Sequence, residues 1–400
     1  MPEGTTIIED GFGFVKNPEK EIADIVRRFT LTNKNNVQVQ VISYGATITS
    51  VKCPDSKGRI HDVVLGFDDL EGYIRNQHAY FGSILGRVAN RVANGRFRLG
   101  SREFELTKNA GDFQLHGGIK GFDQVVWQSY VSNGRVVFTY LSKDGEEGYP
   151  GDVMTQVAYS LLDDNSLKLE MRAMSSRPTP VNLSNHVYFN LAGHCAGPKA
   201  LYEHYACINA DKVLVVTPDL IPTGELRKVG GTIYDLRTPR KLGDVIHQVP
   251  GGGYDNTMCI NGTKEDGVRF VARVYHPPSG RVVEVFSDQP GLQWYTSRNL
   301  PDPDARSSRE LAQTVPDEEV PDITQEVVID APLEETSPPV PLPPAEVIGK
   351  DGTEYKKYGA FCLETQNYPD AVNHRRFPDS ILRPGELYSH TCIYRFGIQK

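Results

Sequence analysis

Val37-Gln38-Val39-Gln40-Val41-Ile42 alternates apolar and amide side chains and then ends on two apolar residues in a row. In an extended chain the side-chain period is two, so the valines face one way and Gln38, Gln40 and Ile42 the other. The stretch is a half-buried strand that turns fully apolar at its end. On its C-terminal side, Ala46-Thr47-Ile48-Thr49-Ser50-Val51 and Val63-Val64-Leu65 keep the strand composition, separated by Tyr44-Gly45 and by Pro54-Asp55-Ser56-Lys57-Gly58, which is turn chemistry. Further short strand patterns fall at 96–99, 103–106, 136–140, 167–171, 269–274, 282–286, 292–295 and 392–396, whereas long helical periods are scarce. Many short strands with Gly, Pro, Asn and Asp between them predict an antiparallel sandwich or barrel, and the lack of a regular repeat argues against a propeller.

The composition narrows the class of protein. A length of 400 residues would by itself allow two or three domains, and the 39% hydrophobic fraction suffices for a large core. No apolar run reaches bilayer length and the first residues lack the basic and apolar segments of a secretory signal, so no membrane association is expected and the cytoplasm is the default location. Six cysteines show no C-x-x-C spacing, so free thiols are expected and no metal site. The net charge of −8 is concentrated: residues 301–348 hold twelve Asp or Glu against two Arg, a net of −10, which leaves +2 for the remainder. A nearly neutral folded part with no basic stripe argues against a nucleic-acid partner. With ten prolines in 301–344, the acidic 301–348 segment reads as a disordered surface insertion outside any cleft. A tolerated loop is the simpler account of it, a docking segment for an unidentified partner the other.

Gly11-Phe12-Gly13 begins like a dinucleotide fingerprint but lacks its third glycine and its helix. Other stretches carry more chemistry. Val181-Asn182-Leu183-Ser184-Asn185-His186-Val187-Tyr188-Phe189-Asn190 sets a histidine between short polar residues and aromatics, a pattern that on its own is as consistent with a core histidine. Glu364 follows Phe361-Cys362-Leu363, and an acid on a buried strand rarely lacks a role. Polar stretches flanked by glycine or aromatics, as in a sugar cleft, are Gly86-Arg87-Val88-Ala89-Asn90-Arg91, Leu115-His116-Gly117-Gly118, Tyr254-Asp255-Asn256 and Leu363-Glu364-Thr365-Gln366-Asn367. His61, His78, His194, His204, His247, His276, His374 and His390 lie in polar or turn-rich contexts that suit surface or structural placement.

Together these motifs resemble the aldose 1-epimerase, or galactose mutarotase, family from about Ser43 to Phe396, close to its animal cytosolic members, with the acidic insertion as the main departure. The resemblance implies an all-β fold, a single large antiparallel β-sandwich of the galactose mutarotase type over residues 1–400, with the 301–348 insertion within it. It implies an enzyme that interconverts the α and β anomers of D-galactose and D-glucose, a small-molecule aldohexose as partner, and no cofactor. Glu364 would be the general base and His186 the general acid; Asn90, Arg91, His116, Asp255 and Gln293 would hold sugar hydroxyls, and Tyr188 would line the cleft. The stretch Asp144–Gly151 also fits the family, as a restricted loop near the cleft with no chemical part.

Opening a pyranose hemiacetal removes a proton from the anomeric hydroxyl while another arrives on the ring oxygen, so an acid and a base must flank one carbon. Unperturbed pKa values of about 4.3 and 6.5 put ionised Glu364 with protonated His186 between them, a window that mutual attraction would widen. A hexose-phosphate 1-epimerase would need more cations than Arg87 and Arg91. A catalytically silent sugar-binding protein would be the natural reading if Glu364 or His186 were missing.

Overall fold

In the computed structural model, which describes residues 4–16, 22–302 and 346–399, the alternating stretch at 37–42 is a strand, Gln38–Ile42, inside a five-stranded antiparallel meander running from Thr6–Val15 to Ile60–Asp62. Val37, Val39 and Val41 are fully buried in the largest core cluster, and Gln38 and Gln40 are half-buried on the opposite face. Ile42 is buried on that opposite face by a second cluster holding Leu65, Phe67, Tyr73, Tyr188, Tyr295 and Cys362, which explains the apolar end of the strand.

Two larger antiparallel sheets form the body of the described residues, beside four two-stranded ribbons. One has nine strands and is built around Val153–Leu161, Ser166–Ser175 and Tyr388–Ile398. The other has six, ordered Tyr188–Phe189, Phe361–Gln366, Gly291–Tyr295, Asp255–Ile260, Ala210–Val216 and Pro222–Lys228. Their inward residues meet in the main core, where Phe138, Tyr159 and Tyr394 of the nine-stranded sheet join Trp294, Phe361 and Leu363 of the six-stranded one. Each such burial contributes roughly 1.5–3 kcal/mol. The fold is therefore all-β and antiparallel, as its sequence periods predict.

Val63-Val64-Leu65 departs from expectation. The strand ends at Asp62, and only Val64 forms an isolated bridge, to Phe189. Asp62 replaces the ladder: one carboxylate oxygen accepts the amides of Val51 and Val64 at 3.1 and 3.2 Å, and the other accepts the Lys350 ammonium at 2.6 Å. All six cysteines are free. Among the described residues no helix is long and apolar enough to cross a membrane. The acidic insertion lies outside the described residues except for its ends, 301–302 and 346–348.

Candidate active site

Strand alternation divides the six-stranded sheet into a core face and a cleft face. Phe361 and Leu363 point into the core, so Cys362 and Glu364 point away from it; Leu292 and Trp294 do the same for Gln293 and Tyr295. The registers align these outward residues in two neighbouring rows. Asp255 pairs with Tyr295, Tyr295 with Cys362 and Cys362 with Tyr188, while Thr257 pairs with Gln293 and Gln293 with Glu364. A one-residue slip of any of these strands would turn its polar set into the core.

His186 reaches this face from a different segment. Ser184–Asn185 pairs with Ile84–Leu85, and the His186 amide donates to the Ser83 carbonyl at 2.9 Å. The segment is tied to the strand of Glu364 from the core side. Ser184 Oγ donates to the Thr365 carbonyl at 3.0 Å, and the His390 ring spans the Thr365 hydroxyl at 2.8 Å and the Leu183 carbonyl at 3.1 Å. His186 stacks on Tyr188 at 4.9 Å between ring centroids. Its Nε2 lies 3.6 Å from Glu364 Oε1 and its Nδ1 3.6 Å from Cys362 Sγ.

The third wall is a set of tight turns. Tyr80, Asn90 and His116 all take left-handed backbone conformations, with φ of 54°, 65° and 51°. Such residues cost of order 1–3 kcal/mol each and persist where the surroundings fix them. Here the Asn90 amide donates to His116 Nδ1 at 3.1 Å while the His116 amide donates to the Asn90 carbonyl at 2.9 Å. With Nδ1 occupied as an acceptor, a neutral His116 carries its proton on Nε2, leaving a donor for a ligand. Gly117, at φ 97°, brings the turn against the Gly86 carbonyl, where any side chain would overlap that oxygen.

Asn90, Arg91, His116, His186, Tyr188, Asp255, Gln293 and Glu364 thus line one cleft. Gln293 is already engaged: its Nε2 donates to Asp255 Oδ1 at 2.6 Å and its Oε1 accepts the Thr257 hydroxyl at 2.5 Å. It orients Asp255 and keeps one N–H for a ligand. Arg91 NH2 approaches Asp255 Oδ2 at 3.9 Å. Arg87 is not in the cleft. Its buried guanidinium donates to Ser142 Oγ and to the carbonyls of Pro150 and Lys143, at 2.7, 3.2 and 2.6 Å.

Three expectations change. The insertion does not stand clear of the site, because Pro301 and Val347 at its two ends line the cleft beside Asn299 and Leu300. The 144–151 loop has a mechanical part: the Glu147 carboxylate accepts the amides of Ile119 and Lys120 at 3.0 and 2.9 Å and the Thr107 hydroxyl, clamping the turn that carries His116. The third concerns protonation. Burial pushes the Glu364 carboxyl well above its usual range, reinforced by the negative charge of Asp255, and holds the His186 imidazole down to about 3. Burial therefore favours the neutral pair over the expected ion pair, because desolvation of two charges outweighs their attraction across 3.6 Å.

Tyr80, Tyr295 and His78 also line the cleft and have no place in the motif reading. Tyr295 was accessible to it, since period two puts 295 on the face of 293. Tyr80, stacked 6.0 Å from the His186 ring, had no such signal.

The family model described as aldose 1-epimerase matches residues 27–395. Galactose mutarotase from Bos taurus is 43% identical over 94% of this chain and 95% of its own, and galactose mutarotase from Homo sapiens 43% over 93% and 94%. Aldose 1-epimerase from Escherichia coli strain K12 is 32% identical over 92% and 95%. Among solved structures, the GalM/aldose epimerase homologue from C. elegans superposes with a TM-score of 0.77 at 26% identity, covering 98% of this chain and 100% of that one.

Proposed function

Because this chain belongs to the aldose 1-epimerase family, we propose that its cleft opens and recloses the pyranose ring of D-galactose and D-glucose, interconverting their anomers, with Glu364 and His186 moving the protons. The observation that carries the reading is the pairing of one carboxyl and one imidazole, 3.6 Å apart and both buried, at the base of a cleft lined by hydroxyl-binding groups. That separation is longer than a hydrogen bond, and Glu364 Oε2 has no partner, so both groups remain available to a substrate.

One proton shared by the pair suffices. Ionised Glu364 with protonated His186, and neutral Glu364 with neutral His186, contain the same number of protons and differ only in where it sits. In either arrangement one group accepts from the anomeric hydroxyl while the other donates to the ring oxygen. In the family's assignment Glu364 is the acceptor and His186 the donor. Although the empty cleft favours the neutral arrangement, the polar hydroxyls of a bound sugar and the Arg91 guanidinium offset the desolvation that opposes the charged one. Rotation about the bond beside the aldehyde carbon, followed by closure on its other face, reverses the two roles. Each positioned transfer is worth roughly 10²- to 10⁴-fold.

His116 Nε2–H and Arg91 supply donors to the sugar hydroxyls, Asp255 is an acceptor held in place by Gln293, and the rings of Tyr188 and Tyr80 pack around His186. Among the described residues Arg91 is the one Arg or Lys lining the cleft, which disfavours a phosphorylated sugar. Polarimetry of freshly dissolved α-D-galactose tests the reading: relaxation should be accelerated, and a rate equal to buffer alone would overturn it. Glu364→Gln and His186→Asn should each lower kcat by about 10²-fold or more in folded protein. Near-normal turnover in either would remove that residue from proton transfer.

A further inference from the structure

Cys362 is unused by this chemistry, yet it stands beside both groups that carry it. It lies on the same face of its strand as Glu364 two positions on, buried in the second core cluster directly behind the cleft lining, and its Sγ lies 3.6 Å from His186 Nδ1. One imidazole nitrogen, the thiol sulfur and one carboxylate oxygen from these three buried residues lie within 4.8 Å of one another. Glu364 Oε2 is buried without a hydrogen-bond partner. Nitrogen, thiolate and carboxylate are a zinc donor set, whose bonds of about 2.0–2.3 Å in tetrahedral geometry place ligand atoms roughly 3.3–3.7 Å apart. The two 3.6 Å contacts in that range are made by different ring nitrogens, Nδ1 toward the sulfur and Nε2 toward the carboxylate, so a metal takes one of them and draws the remaining ligand in from no more than 4.8 Å.

We propose that His186, Cys362 and Glu364 form a binding site for one thiophilic divalent cation of the zinc class, and that its occupancy shuts the enzyme off. The thiolate selects such ions over magnesium and calcium, which favour oxygen ligands. Binding forms metal–sulfur, metal–nitrogen and metal–oxygen bonds. It breaks the Cys362 S–H bond and, in the neutral pair, the Glu364 O–H bond, and these protons leave to solvent with no change of oxidation state. The metal takes the lone pairs through which His186 and Glu364 exchange protons with a sugar, so it is an inhibitor and competes with substrate for the same two groups. The inhibitory half of the proposal rests on the mutarotase reading. The binding half does not.

The full-length chain, stripped with a chelator, is titrated with Co²⁺ as a spectroscopic stand-in and, separately, assayed by polarimetry in the presence of Zn²⁺. Expected are a thiolate-to-cobalt charge-transfer band that saturates at one ion per chain and Zn²⁺ inhibition that galactose relieves competitively. The band should vanish in both Cys362→Ser and Cys362→Ala and persist in a variant of the exposed Cys195, Cys195→Ser. Measured against each variant's own metal-free rate, sensitivity to Zn²⁺ should fall at least about tenfold on loss of the Cys362 thiol, since even outer partners of a metal site are worth about 10–100-fold. A band or an inhibition constant unchanged in both Cys362 variants would overturn the proposal. If the wild-type chain lacks mutarotase activity altogether, the functional reading fails while the cobalt spectrum still decides the metal site.

Discussion

Glu364 and His186 are shifted toward each other's neutral form, and this fixes the pH profile. His186 gains a second proton for the pair only near pH 3, and Glu364 gives up the last one well above the usual carboxylate range. Between those limits the pair holds one proton, which in the proposed mechanism is the active count whichever partner carries it. For galactose, kcat/KM per folded molecule should therefore hold through pH 6.5, the ordinary histidine value, where a solvated histidine acid would begin to fail. A decline of kcat/KM centred near pH 6.5 would show that burial does not hold the shared proton on the pair. His186 was legible in the sequence as a residue between polar and aromatic neighbours, but its protonation was not. Desolvation depends on what packs over the ring, and Tyr80, Tyr188 and Tyr295 reach it from three separate parts of the chain.

The turn that carries His116 depends on an element that never touches the cleft. The Glu147 carboxylate accepts two consecutive amides, of Ile119 and Lys120, just past the His-Gly-Gly turn, and the Gln114 side chain is held in turn by the Tyr149 hydroxyl at 2.5 Å. Glu147→Gln leaves one oxygen where two accepted, a loss of about 1–2 kcal/mol in the clamp. We expect KM for galactose to rise several-fold, up to about tenfold, with kcat changed much less, because in the proposed mechanism His116 holds a hydroxyl and transfers no proton. Steady-state polarimetry separates the two constants, and equal loss in both would mean that the loop takes part in the chemical step. The motif at 144–151 was visible in the sequence as a restricted loop near the cleft. Its clamp on 119–120 was not, since nothing in either stretch names the other.

Buried neutral histidines weaken the whole molecule as the pH falls. Burial holds His186 and His204 down to about 3 and His276 and His390 down to about 4. Each takes up a proton on unfolding below about pH 6.5, so the stability that comes from keeping them neutral is complete above that pH and is lost progressively as pH falls toward their folded values. The raised Glu364 and Asp123 carboxyls act in the opposite direction over the same interval, so the histidine contribution is read by difference: His390→Gln should be less stable at pH 7 and lose less Tm than the wild type between pH 6.5 and pH 4. Equal losses of Tm in the two proteins over that interval would contradict the burial of this ring. At the same scale, we propose that the acidic insertion has no chemical part. Replacing 303–345 with a short Gly/Ser linker, while keeping Pro301 and Val347 on the cleft wall, should leave kcat for galactose within a few-fold. A large loss in folded protein would show that the span contributes to catalysis.

The sequence alone determined the all-β class, because side-chain period is a local property and Val37, Val39 and Val41 carry it wherever they are placed. It also determined which residue types could do acid-base work on a sugar. Only the tertiary structure decided that Glu364, Gln293 and Thr257 form one row and Cys362, Tyr295 and Asp255 the next. It also brought His186 from a separate segment to Glu364, and Pro301 and Val347 to the rim of the cleft. These are pairings between strands and turns far apart in the chain. Their register is set by burying one face of each strand in a common core, and no local pattern specifies which strand lies beside which.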